Sequence, residues 1–247
     1  MNEKRFVGSK GGAGVAQWII SAMPAHRVYV EPFLGKGVVL KLKKPAAVSI
    51  GIDYDAGVID NYWCRHSQPG LAIVHGDALA VLPCLKVEPD WLVYADPPYL
   101  GSARSCQRRY YRREMFAEAA HERLLSVLTG LQCMVMISGY ASSLYAERLA
   151  SWTVKTFWTV NRRGKRCREF LWMNFTIPAV LHDSRHVGNN FTDRQRIKRK
   201  ACRWTKKFLA MADHERQAIW DSLAGARILQ TEPAIVASID KKGRADL

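Results

Sequence analysis

No stretch of this 247-residue chain approaches the ~20 consecutive apolar residues that a membrane-crossing helix needs. Met1-Asn2-Glu3-Lys4-Arg5 is not followed by the apolar segment of a secretory signal, so a cytoplasmic location is expected. Six cysteines, at 64, 84, 106, 133, 167 and 202, form no Cys-x-x-Cys pair and have no companion histidines at zinc-finger spacing. They read as reduced thiols, and neither a disulfide framework nor a structural metal is expected. The seven histidines show no ligand spacing, and Ser138-Gly139-Tyr140 lacks the preceding glycine of a hydrolase nucleophile elbow. Repeats and low-complexity tracts are absent. Acidic residues are scarce as well: 22 Asp and Glu against 37 Lys and Arg leave a net charge of +15. That excess points to a polyanionic partner, most often nucleic acid. An acidic membrane surface is the weaker reading, because no basic amphipathic helix with Trp, Phe and Leu on one face stands out.

A hydrophobic content of 48% over this length suits one large domain with an appendage. The runs at 28–33, 48–53, 72–77, 91–96 and 133–140 read as strands, each ending at Gly, Asp, Pro or Ser. Helical stretches at 36–43, 55–66 and 117–130 alternate with them, so the fold class is α/β and the sheet is mostly parallel. After Trp152 two apolar runs flank Arg162-Arg163-Gly164-Lys165-Arg166, the pattern of an antiparallel β-hairpin with a basic tip. From His182 onward the text reads as one or two basic helices, to which Leu209, Met211, Ile219, Trp220 and Leu223 would lend an apolar face. A soft boundary near 180 separates a catalytic domain, 1–180, from a basic helical extension, 181–247.

Ligands of parallel sheets bind beyond the carboxyl ends of the strands, and the candidate site residues sit there. In Phe33-Leu34-Gly35-Lys36-Gly37 a strand turns into a helix through two glycines, which lets backbone lie against a ligand. Asp53 ends the next strand 18 residues after Gly35, close to the spacing of an acid that grips a ribose diol. Asp77 ends the third, where a carboxylate can accept from an adenine amine. Either aspartate would equally serve as a helix N-cap. The turn lacks the full Gly-x-Gly-x-x-Gly, and no phosphate-loop Lys-Ser/Thr follows, so a nucleoside without phosphates fits best. Further along, Trp91–Ala95 is a buried-strand run that ends in Asp96-Pro97-Pro98-Tyr99. The prolines hold the backbone extended and fix the direction of its carbonyls.

Phe33-x-Gly35-x-Gly37 followed by Asp96-Pro97-Pro98-Tyr99 resembles the amino-group DNA methyltransferases, and among them the Dam-like adenine methylases with their phage relatives. The resemblance extends over roughly residues 6–175. It takes in the segment 6–24, the Ile137-Ser138-Gly139-Tyr140 stretch and the basic hairpin. It implies a Rossmann-like methyltransferase sheet and S-adenosylmethionine as cofactor, lined by Lys10, Gly11, Gly12, Glu31, Phe33, Gly35 and Gly37. By the same resemblance Asp53 takes the ribose, Asp77 the adenine ring, and Asp96 lies beside the methyl group. It implies that Asp96 and the Pro97 carbonyl accept the N–H bonds of a flipped adenine while Tyr99 stacks on the base. Relatives often carry Gly-Gly-Lys near the N-terminus, whereas here Gly11-Gly12 is followed by Ala13 and preceded by Lys10. Methylation of RNA adenine or of DNA cytosine N4 is disfavoured, since those relatives usually show Asn or Ser where Asp96 stands. A catalytically silent DNA-binding module would have no need of Asp96.

Basic clusters outside the pocket are the expected DNA contacts: Arg104, Arg108, Arg109, Arg112 and Arg113 after the tetrad, and Arg162, Arg163, Lys165, Arg166 and Arg168 in the hairpin. A third, from Arg194 to Lys207, fills the C-terminal segment. They supply phosphate affinity more than sequence choice. Dam-like relatives insert a recognition domain between the third strand and the tetrad, but here Asp96 follows Asp77 by only 19 positions. A short or loosely specified target is therefore expected.

Overall fold

The computed structural model describes residues 14–60, 69–101, 115, 117–160 and 166–231. Seven strands make one sheet: β1 (Val28–Glu31), β2 (Val48–Asp53), β3 (Leu71–His75), β4 (Trp91–Ala95), β5 (Met134–Gly139), β6 (Thr153–Val160) and β7 (Arg166–Met173). Their spatial order is β3-β2-β1-β4-β5-β7-β6. Strands β1 to β5 pair in parallel, whereas β7 runs antiparallel to both β5 and β6. This is the expected Rossmann-like, mostly parallel sheet with its antiparallel hairpin. The order reverses between β1 and β4, which places the ligand crevice beyond their carboxyl ends.

Period-two alternation explains why both faces are covered. Val28, Val30, Val93, Ala95, Val135 and Ile137 point to one face, and Tyr29, Leu92, Tyr94 and Met136 to the other. The first face packs under α5 (Glu118–Gly130) and α6 (Ser143–Arg148); the second packs under α1 (Val15–Ile20) and α2 (Val38–Leu42). Central strands covered on both sides must be apolar throughout, as β4 is. In α5 the buried positions 121, 124, 125 and 128 recur at helical spacing, and each buried leucine contributes roughly 1.5–3 kcal/mol.

The short helices α3 (Ala56–Val58) and α4 (Ala78–Val81) follow β2 and β3. The expected helix 55–66 is described only as far as residue 60. Between Asp77 and Asp96 the chain forms α4, a 3-10 turn at Leu82–Cys84 and β4, so no additional domain occupies that interval. Helices α1 and α6 carry no strong sequence signal. Each is six residues long and is held by packing.

His121, at 1% exposure, ties α5 to its surroundings. Its Nε2 lies 2.9 Å from the Met115 carbonyl and its Nδ1 2.8 Å from the Tyr145 hydroxyl on α6. A carbonyl only accepts, so Nε2 carries the hydrogen and Nδ1 accepts from Tyr145. His121→Leu leaves two buried polar groups without partners. A loss of about 2–4 kcal/mol is expected, read as a lower urea midpoint at unchanged slope.

The chain divides into two compact units, one ending at Phe191 and the other beginning at Thr192. Residues 181–191 stay with the sheet because they are bonded to it: the His182 amide donates to the Met23 carbonyl, the Lys44 amide to Asp183, and the Arg185 guanidinium to the Leu42 carbonyl. The second unit carries α7 (Phe191–Leu209) and α8 (Asp213–Thr231). Of the residues expected to form an apolar face there, Met211 and Ile219 are half-buried, whereas Leu209, Trp220 and Leu223 are 64%, 66% and 61% exposed. Helical spacing sets which side of a helix a residue occupies, but burial needs a second surface.

Candidate functional site

The carboxyl ends of β1, β2, β3, β4 and β5 meet along one edge. After β1, Gly35 and Gly37 adopt left-handed φ values of 47° and 54°, a conformation costly for side chains with a Cβ. Leu34 anchors this turn: it is buried against Val58, and its amide donates to the Ile52 carbonyl at 2.9 Å. Phe33 is half-buried against the core. Among the described residues, a Cβ on Gly35 would meet nothing within 4 Å.

Asp53 is joined directly to that turn. Its Oδ2 accepts from the Gly35 amide at 2.7 Å and its Oδ1 from the Asp55 amide at 2.8 Å. Burial raises its pKa, and the two amide donors work against that rise. Each carboxylate oxygen has a second lone pair, so the diol reading and the backbone bonds are compatible. Asp77 caps α4, its Oδ1 accepting from the Leu79 amide at 3.1 Å. The expected N-capping role is thus present.

Glu31 lies deeper, 4% exposed. The Tyr29 hydroxyl donates to its Oε2 at 2.8 Å and the Leu40 amide at 3.2 Å. Burial pushes its pKa up to about 8, and the charge of Asp96 adds to the rise. Lys43, with its ammonium 4.3 Å from the Tyr29 ring centre, is pushed by burial down to about 8.

Beyond β4, Asp96 sits at the point where strand order reverses. Continuing the Val30↔Val93 register brings it level with Phe33. The Ser138 hydroxyl, wholly buried on β5, donates to Asp96 Oδ1 at 2.8 Å. With its hydrogen committed there, Ser138 Oγ accepts from the Tyr94 hydroxyl at 2.9 Å. The result is a polarised chain, Tyr94 to Ser138 to Asp96, that fixes the carboxylate. Pro97 is buried, Pro98 and Tyr99 are half-buried, and the Tyr99 ring lies 4.5 Å from that of Tyr140 just past β5. Ser138 and Tyr94 are not among the site residues expected from the sequence. A serine at the end of an interior strand was the available signal.

The edge thus gathers Glu31, Phe33, Gly35, Gly37, Asp53, Asp77, Asp96, Pro97, Pro98 and Tyr99. Lys10, Gly11, Gly12, Arg104, Arg108, Arg109, Arg112, Arg113, Arg162, Arg163 and Lys165 lie outside the described residues. Arg166, which opens β7, is exposed. Among the described residues, no group of His, Cys, Asp and Glu is arranged to hold a metal ion, and no helix is long and apolar enough to cross a membrane.

No protein-family model matches the chain, and no curated protein sequence does. Among solved structures it is similar to an rRNA methylase from Streptococcus thermophilus, at 12% identity and a TM-score of 0.45 over 64% of this chain and 93% of that one. A spermidine synthase from Thermotoga maritima gives 12% and 0.46 over 72% and 66%. Precorrin 8w decarboxylase from Methanobacterium thermoautotrophicum gives 14% and 0.43 over 66% and 89%. Likenesses of this degree do not bear on what the chain binds, and its fold is read from its own strand order.

Proposed function

We propose that this protein transfers a methyl group from S-adenosylmethionine to the N6 amine of an adenine flipped out of DNA. The observation that carries the reading is the oriented carboxylate of Asp96 at the strand-order reversal, two strands from the turn-linked Asp53. The residues present suit the cofactor: a glycine turn for its backbone contacts, Asp53 for the ribose hydroxyls, Asp77 beside the adenine, and Glu31 behind the methionine end. S-adenosylmethionine, when bound, supplies an electrophilic methyl group.

The chain's own contribution is positional. An exocyclic amine is a weak nucleophile because its lone pair is conjugated with the ring. Asp96 and the Pro97 carbonyl each accept one amine N–H bond, which draws the nitrogen toward a tetrahedral shape and aims its lone pair. Pro97 and Pro98 fix that carbonyl before the base arrives, and Ser138 fixes the carboxylate, so no reorganisation is needed during reaction. Tyr99, with Tyr140 behind it, stacks on the extruded base. By the family resemblance Lys10, Gly11 and Gly12 would add to the cofactor contacts, and the arginine clusters at 104–113 and 162–166 would hold phosphates. The short Asp77-to-Asp96 interval supports a loosely specified target.

The test is nucleoside mass spectrometry after incubation with the methyl donor and either DNA or RNA. N6-methyladenine in DNA is expected. Product only in RNA, or as N4-methylcytosine, would replace this reading with one of its rivals, and no product with either polymer would leave a binding module. Ser138→Ala is expected to lower kcat about tenfold with KM nearly unchanged, since it loosens the acceptor without removing it. An equal loss in the Tyr94→Phe variant, not additive with the first, identifies the chain of bonds as the cause.

A further inference from the structure

Trp158 on the edge strand β6 is 57% exposed, although its neighbour Phe157 is buried against Trp18 at 5.2 Å between ring centres. Its indole is flanked by two guanidinium groups from β7, Arg166 at 4.9 Å and Arg168 at 5.7 Å from the ring centre. Arg168 is its direct cross-strand partner, and both arginines are exposed. Neither the cofactor pocket nor the acceptor pair uses these side chains.

Their place in the sheet connects them to the active edge. Strand β6 runs in the direction of β4 and β5, so its carboxyl end lies at the same edge as Asp96. The register Ala95↔Ile137, Ser138↔Leu171 and Lys155↔Leu171 sets Asp96 level with Lys155. Trp158 is then about 10 Å farther along, and about 14 Å across three strand spacings, so the two Cα atoms are ~17 Å apart in the plane of the sheet. At the ~3.4 Å rise of a strand that keeps its base stacking, that is about five nucleotides. At the base of the hairpin, Cys167 lies 3.4 Å from the hydroxyl of Tyr140, the residue behind Tyr99.

We propose that Trp158, with Arg166 and Arg168, is a stacking platform for an unpaired base of the substrate DNA strand about five nucleotides from the target adenine. The indole receives the base and the guanidinium groups take the adjoining phosphates. In a duplex, neighbouring base pairs cover each π-face, so the platform selects a strand that is single or opened on that side. A loosely specified target is consistent with this, since every base has a π-face. The inference rests on the proposed nucleic-acid substrate, but its test does not depend on catalysis.

Fluorescence anisotropy would compare the intact protein and its Trp158→Ala and Trp158→Phe variants on labelled single-stranded DNA with one central adenine. One oligonucleotide carries eight nucleotides on each side of the adenine, and the other carries three. Trp158→Ala is expected to weaken binding of the long strand about tenfold and to leave the short strand and the long duplex within twofold; Trp158→Phe keeps most of the affinity. A single abasic position four to six nucleotides from the adenine is expected to reproduce the loss and to make Trp158→Ala silent. Unchanged affinity of Trp158→Ala for the long strand, or equal losses on the short strand or the duplex, overturns the platform. Absence of methyl transfer by the intact protein to any of these strands counts against the proposed function and leaves the binding comparison readable. Since Trp158 is exposed, both variants are expected to melt with the parent.

Discussion

Asp96→Ala is expected to lower kcat for adenine methylation by about 10²–10³, with cofactor and DNA affinity nearly unchanged. In the proposed reaction the carboxylate accepts from the amine, and its effect would lie in the transition state, where the nitrogen loses conjugation and its N–H groups need acceptors. Removing it also frees the Ser138 hydroxyl, which now donates to Asp96 at 2.8 Å. Asp96→Asn keeps a carbonyl oxygen in place and is expected to retain more activity than alanine. Single-turnover methylation isolates the chemical step. Asp96→Ala turning over at the parent rate would remove the carboxylate from the mechanism, whatever the product.

Glu31→Gln is expected to change how stability depends on pH. The Glu31 carboxyl has a pKa of about 8 in the folded chain against a reference of 4.5. Between those values the unfolded chain has released the proton and the folded chain still holds it. The folded state therefore loses stability as pH rises through this window, by up to on the order of 5 kcal/mol. Glutamine keeps an oxygen to accept from the Tyr29 hydroxyl and the Leu40 amide but does not titrate. The difference between variant and parent should be small near pH 4.5, grow toward pH 8 and then level off. His26, held neutral by burial with its pKa near 3, steepens the acid side of both proteins alike and cancels in the comparison. Chemical denaturation across this range measures it, and parallel pH curves would show that Glu31 ionises normally.

A second consequence follows from the same carboxyl. The proposed cofactor carries a sulfonium and an ammonium, and both favour an ionised neighbour. Its affinity for the parent is expected to rise with pH up to about 8 and then level, whereas Glu31→Gln shows no such rise. Calorimetric titration at several pH values reads this independently of methylation.

The alternation of short apolar runs with helical stretches determined the α/β class, because strands covered on both faces must be apolar and each needs a crossover. The glycine turn, Asp53 and the Asp-Pro-Pro-Tyr tetrad were legible because backbone conformation constrains residue type locally: left-handed turns call for glycine, and prolines end a ladder. Tertiary structure alone decided which partners those residues meet. Strand order set β5 beside β4, and only then did Ser138 become the donor to Asp96 and Tyr94 the donor to Ser138. Burial turned Glu31 from an ordinary acid into one that holds its proton to about pH 8. Asp77 capped α4 because the Leu79 amide lay within reach. The edge position of β6 left Trp158 in solvent between two arginines of a strand that sequence order places after it. Such properties depend on what lies across the sheet, and a local pattern carries no record of distant neighbours.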